Sequence, residues 1–211
     1  MAAAKKELQK MVTDWTEEEK DKTETLRRRC KDLISELGED YPKHKVDGML
    51  IRFLRARDCD VTKATVFLRD HLKWRLENFP IAIDDVRGEL LKGKYGIAGY
   101  DLAGHPCICI HQQKMGPHTY DDIEVVKKSI VFALEWLCDN KVAPDGKFSV
   151  VYSRVNCVPE NSDVEWVKAV APLLQNHYPE RLYKAYLAPA PWVMRGVSSL
   201  GVLKRERTST P

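Results

Sequence analysis

Among the 211 residues, no apolar stretch approaches the length of about 20 residues that a membrane-spanning helix needs. Any membrane contact read from this sequence is therefore peripheral. The opening residues, Met1 to Asp14, carry lysines without an uninterrupted apolar segment, so they do not read as a secretory signal. The six cysteines (Cys30, Cys59, Cys107, Cys109, Cys138, Cys157) are scattered and form no CxxC pair. They read as reduced thiols of a cytosolic protein, not as a disulfide framework. An excess of one charge is lacking too: 34 basic against 31 acidic side chains leave a net +3. That balance, with no basic stripe interleaved with aromatics, argues against nucleic-acid binding but allows weak attraction to an anionic membrane.

Catalytic patterns are equally scarce. Ser198-Ser199, between Gly196 and Gly201, is not GxSxG and follows no nucleophile-bearing strand. Gly93-x-x-Gly96-x-x-Gly99 lacks the GxGxxG spacing and reads as a flexible loop. The acidic pairs Asp84-Asp85 and Asp121-Asp122 stand where helices are expected to start, and capping accounts for them. His105-x-Cys107-x-Cys109-x-His111 contains four good zinc ligands, yet alternate strand residues lie about 6.6 Å apart in a row and cannot converge on one tetrahedral ion. Neither an enzyme nor a metal or cofactor site is expected; the two cysteines read as small fillers of one sheet face, with Ile108 and Ile110 on the other.

What is present is a 44% hydrophobic, 31% charged composition typical of a globular domain. Residues 1–40 read as a charged, solvated helical extension, with the first dozen frayed. After a polar break at Tyr41 to Lys45, one helix brings Leu50, Phe53, Leu54 and Arg57 to one face. A second, capped by Asp60, carries Ala64, Phe67, Leu68, His71 and Leu72 on a stripe and ends before Pro80. From residue 101 the period changes. Strands are expected at Cys107 to His111, Phe148 to Tyr152 and Tyr183 to Leu187, alternating with helices at Ile123 to Cys138 and Val164 to Asn176, the latter bent at Pro172. A further helix could begin over Trp192 to Leu203, before a polar, disordered tail at 204–211. Alternation of this kind indicates an α/β domain with a partly parallel sheet.

Two multi-residue stretches resemble signatures of the CRAL-TRIO lipid-binding family. Leu50-Ile51-Arg52-Phe53-Leu54-Arg55-Ala56-Arg57, followed by Asp60-Val61 and Ala64, resembles the family's N-terminal helical lobe, and His71 to Asn78 is similar to the helix after it. Gln175-Asn176-His177-Tyr178-Pro179-Glu180-Arg181-Leu182, continued by Tyr186-Leu187 and Ala190-Pro191-Trp192, resembles the family's most recognisable segment. The likeness covers about 150 residues, in order and at the usual intervals. It implies a helical lobe at 41–80, an α/β lobe at 81–203 with a mixed sheet flanked by helices, and a cavity for one lipid or other lipophile. It also implies a cytoplasmic protein that associates transiently with membranes, without catalysis and with no cofactor beyond the bound lipid. Three departures stand out: Ser153-Arg154-Val155-Asn156 where Asp-x-x-Gly is frequent, Pro189 where Asn is common, and a short end. Beyond about Val197 the family has a gating helix, a strand and a closing segment; only Ser198 to Pro211 stand there.

Three residues are expected at the lipid headgroup. Arg57 matches the arginine of phosphoinositide-binding members; alternatively it hydrogen-bonds the last helix carbonyls or pairs with Glu180. Glu180 and Arg181 match positions near the headgroup in the phosphatidylinositol-binding branch, where a carboxylate accepts from hydroxyls and a guanidinium grips phosphate. Their alternative is an exposed pair in a connection. Two functions follow: binding and intermembrane transfer or sensing of a phosphatidylinositol-like phospholipid, or a non-exchanging module that docks on a partner protein or membrane surface because the cavity is incomplete. The second arises because removing about 30 acyl CH₂ groups from a bilayer costs roughly 24 kcal/mol unless the protein encloses them.

Overall fold

The computed structural model describes residues 15–116, 119–140, 143 and 145–188. The helix expected over Trp192 to Leu203, the tail at 204–211, the frayed start and the Pro189 departure lie outside the described residues. The described residues fall into two compact units: 15–82 with 145–146 and 170–181, and 83–116 with 119–140, 143, 147–169 and 182–188.

The first unit is helical. Helix α1 (Glu17–Arg29) starts on a capping box, in which the Thr16 hydroxyl accepts from the Glu19 N–H at 3.1 Å and the Glu19 carboxylate accepts from the Thr16 N–H at 3.0 Å. Three glutamates in its first turn and three arginines in its last both complement the helix dipole. Its stripe is not merely solvated: Leu26 and Cys30, then Leu33 of α2 (Lys31–Glu36), enter the same core as the helices that follow. The charged stretch over 15–40 thus supplies core to the unit, because three apolar residues at helical spacing suffice to mark one buried face.

Helix α3 (Lys43–Arg55) buries Val46, Met49, Leu50, Ile51, Phe53 and Leu54. Helix α4 (Val61–Asn78) starts on Asp60, whose carboxylate accepts from the Thr62 and Lys63 N–H groups at 2.9 and 3.0 Å, and buries Ala64, Leu68, His71 and Leu72. Between them the chain reverses through Asp58 and Cys59, both with positive φ (52° and 57°). Arg55, on the outer face, reaches back to Glu19 in a two-pronged ion pair at 2.6 and 3.0 Å. Arg69 grips Asp32 the same way, at 2.7 and 2.6 Å.

The second unit holds a four-stranded sheet in the order β1-β2-β3-β4, over Tyr95–Tyr100, Pro106–His111, Phe148–Ser153 and Leu182–Ala188. Strands β2, β3 and β4 are parallel, joined through α6 (Ile123–Asn140) and α7 (Val164–His177), while β1 is antiparallel to β2. A helix α5 (Ile83–Leu91) precedes the sheet. This is the mixed sheet flanked by helices that the family resemblance implies, with the parallel strands that the alternation indicates, and Pro172 sits inside α7.

Two expectations need correction. The glycine-spaced stretch is not a loop: Gly96 and Gly99 belong to β1, with Gly96 opposite Cys109. An edge strand tolerates glycine because it pairs through its main chain, and Gly99, at φ +88°, sits where the pairing register shifts. Asp84 and Asp85 lie within the first turn of α5 and do not cap it. Asp122 does cap α6, accepting from the Glu124 N–H at 2.7 Å.

Candidate functional site

In the helical unit, α4, the turn before it and the end of α7 border an open cleft of about 530 Å³ lined by Arg57, Lys63, Val66, Phe67, Asp70, His71, Asn176 and His177. Its position follows from local chemistry. Helix α3 ends at Arg55, so Arg57 is not on the helical face that its spacing suggests, but in the reversing turn. There its guanidinium lies 3.6 Å from the Phe67 ring centroid and donates to the Ala56 carbonyl at 2.9 Å. The flat cation stacked on an aromatic face is held at the rim of the cleft with nitrogens still to spare.

The other two expected headgroup residues come from the segment after α7. Glu180 is exposed and holds a positive φ of 58°, a costly conformation for a glutamate. Its charge adds to the upward shift of the Arg55 guanidinium, whose first cause is its bond to Glu19. Arg181 donates to the Gly146 carbonyl at 2.6 Å, which fastens the 145–146 turn. No ion pair joins Arg57 to Glu180 among the described residues; Arg57 satisfies itself on a carbonyl and a ring.

The cleft floor is aromatic. His71 and His177 face each other Nδ1 to Nδ1 at 3.2 Å, so one imidazole donates and the other accepts. The Trp74 ring stacks on His177 at 3.8 Å between centroids and 12° between planes, while Phe53 lies 4.8 Å from His71. Burial drives the His71 imidazole well below its usual range, with the neighbouring His177, Arg75 and Arg52 adding to it. Burial also lowers His177, to about 4. Both rings are neutral near neutral pH. Sequence spacing places His71 on a core stripe, but nothing in the spacing pairs it with a histidine 106 residues away.

In the sheet unit, strand alternation sorts the side chains. Register puts Tyr95, Ile97, Ile108, Ile110, Val150, Tyr152, Ala185 and Leu187 on one face. Helix α6 packs there, since Ser129 of α6 is hydrogen-bonded to the Tyr95 hydroxyl. The opposite face carries Cys107, Cys109, Val151 and Tyr186. This face is apolar at its centre, and Tyr186 is 40% exposed. Burial pushes the Cys107 and Cys109 thiols up, which suits inert fillers. Among the described residues no cluster of three or more His, Cys, Asp or Glu could hold a metal ion, and no helix is long and apolar enough to cross a membrane.

Comparison with known proteins gives this geometry its context. The model of the CRAL/TRIO domain matches residues 90–201 and that of the CRAL/TRIO N-terminal domain matches residues 4–70. Phosphatidylinositol transfer protein CSR1 of Eremothecium gossypii is 28% identical over 177 residues, covering 77% of this chain and 39% of that protein. Patellin-6 of Arabidopsis thaliana is 26% identical over 182 residues, covering 79% of this chain and 43% of its own length. The chain thus spans about two fifths of these relatives. The crystal structure of Sfh5 superposes with a TM-score of 0.63 at 15% identity, covering 90% of this chain and 77% of that one, which shows a shared fold.

Proposed function

From the premise that the chain belongs to the CRAL/TRIO domain family, we propose that it binds one phospholipid, phosphatidylinositol or a close analogue, and passes it between membranes. The observation that carries this reading is the cleft of about 530 Å³ with Arg57 in its wall. Its volume is in the range of small-ligand sites, and a cation at the rim of an aromatic floor suits a phosphorylated polyol. Supporting it, CSR1 and PDR17 of Saccharomyces cerevisiae, the latter 27% identical over 159 residues, are phosphatidylinositol transfer proteins.

In this reading Arg57 grips the phosphate with the guanidinium nitrogens that the Ala56 carbonyl leaves over. Glu180, exposed and at positive φ, and Arg181, which donates to the Gly146 carbonyl, do not line the cleft and enter this reading only as further contacts to the headgroup hydroxyls and phosphate. The protein meets the membrane transiently and from the cytoplasmic side, as a carrier without a catalytic step.

The test is transfer of labelled phosphatidylinositol between liposomes by the full chain, with native mass spectrometry of the purified protein. Transfer together with a co-purifying phospholipid is expected, and Arg57→Ala lowers transfer at least about tenfold, as loss of a charge-assisted phosphate contact does. Equal transfer by Arg57→Ala would remove Arg57 from the headgroup site. No transfer and no bound lipid would overturn lipid carriage itself.

A further inference from the structure

The cleft holds a group that the headgroup reading does not use: the His71–His177 pair at its floor. His71 is 5% exposed, whereas His177 is half-buried and shares the cleft with Arg57 and Lys63. We propose that His177 is a proton-coupled third cation of this cleft, taking up one proton when a phosphodiester headgroup binds. The inference rests on the headgroup reading and adds its regulation by pH.

The chemistry follows from which nitrogen is already committed. With the Nδ1 atoms 3.2 Å apart, one hydrogen joins them. When His177 Nδ1–H donates to the His71 Nδ1 lone pair, the Nε2 of His177 is its only basic nitrogen left. A proton taken from solvent at that Nε2 makes His177 an imidazolium without breaking the link to His71, and the link becomes charge-assisted. Trp74, stacked 3.8 Å away, presents its ring face to the new cation. His71, deeper and flanked by Phe53, stays neutral as the acceptor. A second proton on the pair would put two charges face to face, so the device carries one proton only.

The surrounding charges set the direction. Arg52 on α3, Arg57 in the turn, and Lys63 and Arg75 on α4 are cationic; Asp70 on α4 is the one carboxylate among the cleft-lining residues. Without a bound anion, burial opposes a charged imidazole and lowers His177 to about 4. A bound phosphodiester reverses that sign and raises the value. By linkage, affinity then rises as the pH falls between the bound-state and free-state values, by at most about tenfold per pH unit for one proton. Above the bound-state value it is flat.

The experiment uses the full chain and glycerophosphoinositol, a phosphodiester whose own charge is constant over the range. Calorimetric affinities are measured from about pH 7.5 to about pH 4.5, and the His177 ring resonance is titrated by NMR with and without the probe. The expected result is tighter binding at low pH, a raised His177 midpoint in the complex, and a flat pH profile in His177→Gln. Wild-type binding that is pH-independent, with an unmoved His177 midpoint, overturns this inference and leaves the headgroup reading standing. No binding at any pH overturns both. The NMR titration needs no variant, so a misfolded His177→Gln protein does not blunt the test.

Discussion

At the scale of single residues, Phe53 has the widest consequences in the helical unit. It is 1% exposed, lies 4.7 Å from Phe67 and 4.8 Å from His71, and so supports both the ring under Arg57 and the imidazole pair. Phe53→Ala is expected to cost about 3–5 kcal/mol in urea unfolding. A loss under about 1 kcal/mol would mean that the site collapses around the gap. Arg57 illustrates how far a residue's role can be read from spacing. Its membership of an arginine-rich signature is plain in the sequence, but α3 stops two residues earlier, and the reversal at Asp58 and Cys59 turns its side chain onto Phe67. Periodicity assumes that a helix continues; where it stops is decided by the residues that pack around its end.

At the scale of elements, the capping box at Thr16 and the histidine link between α4 and the end of α7 make separable demands. Thr16→Ala removes the acceptor for the Glu19 N–H and is expected to destabilise by about 1 kcal/mol, seen as a lower urea midpoint with an unchanged slope. The histidine link predicts a pH dependence. Both imidazoles titrate below their unfolded value of 6.5, so the unfolded chain binds more protons in between. Stability of the helical unit should therefore be full above about pH 7 and fall steadily as the pH drops from about 6.5 toward 4. His177→Gln should flatten part of that decline, and an unchanged acid limb would show that the pair is not neutral when folded. Most elements were legible beforehand. The spacing of Val126, Ile130, Leu134 and Leu137 marks α6, and Asp60 marks the start of α4. β1 was not legible, because glycines at 96 and 99 erase the alternation that marks a strand, and only pairing with β2 reveals it.

At the scale of the whole molecule, ligand and stability are linked. A phospholipid that binds only the folded chain, present at a hundredfold excess over its Kd, should add about 2.7 kcal/mol to unfolding. Phosphatidylinositol vesicles are accordingly expected to raise the melting temperature of the full chain, and vesicles of phosphatidylcholine alone to raise it less. Equal shifts with both would locate recognition in the acyl chains and not in the Arg57 cleft.

The sequence by itself determined the family, the alternation of helices and strands, and the composition of both helical stripes, because these depend on neighbours a few residues apart. Only the tertiary structure decided that Arg57 lies on Phe67 and that the glycine-spaced segment is an edge strand. The pairing of His71 with His177 across 106 positions was likewise a tertiary outcome. Contacts of that kind arise from the packing of α4 against the end of α7, and no local period in the chain encodes which imidazole will face which.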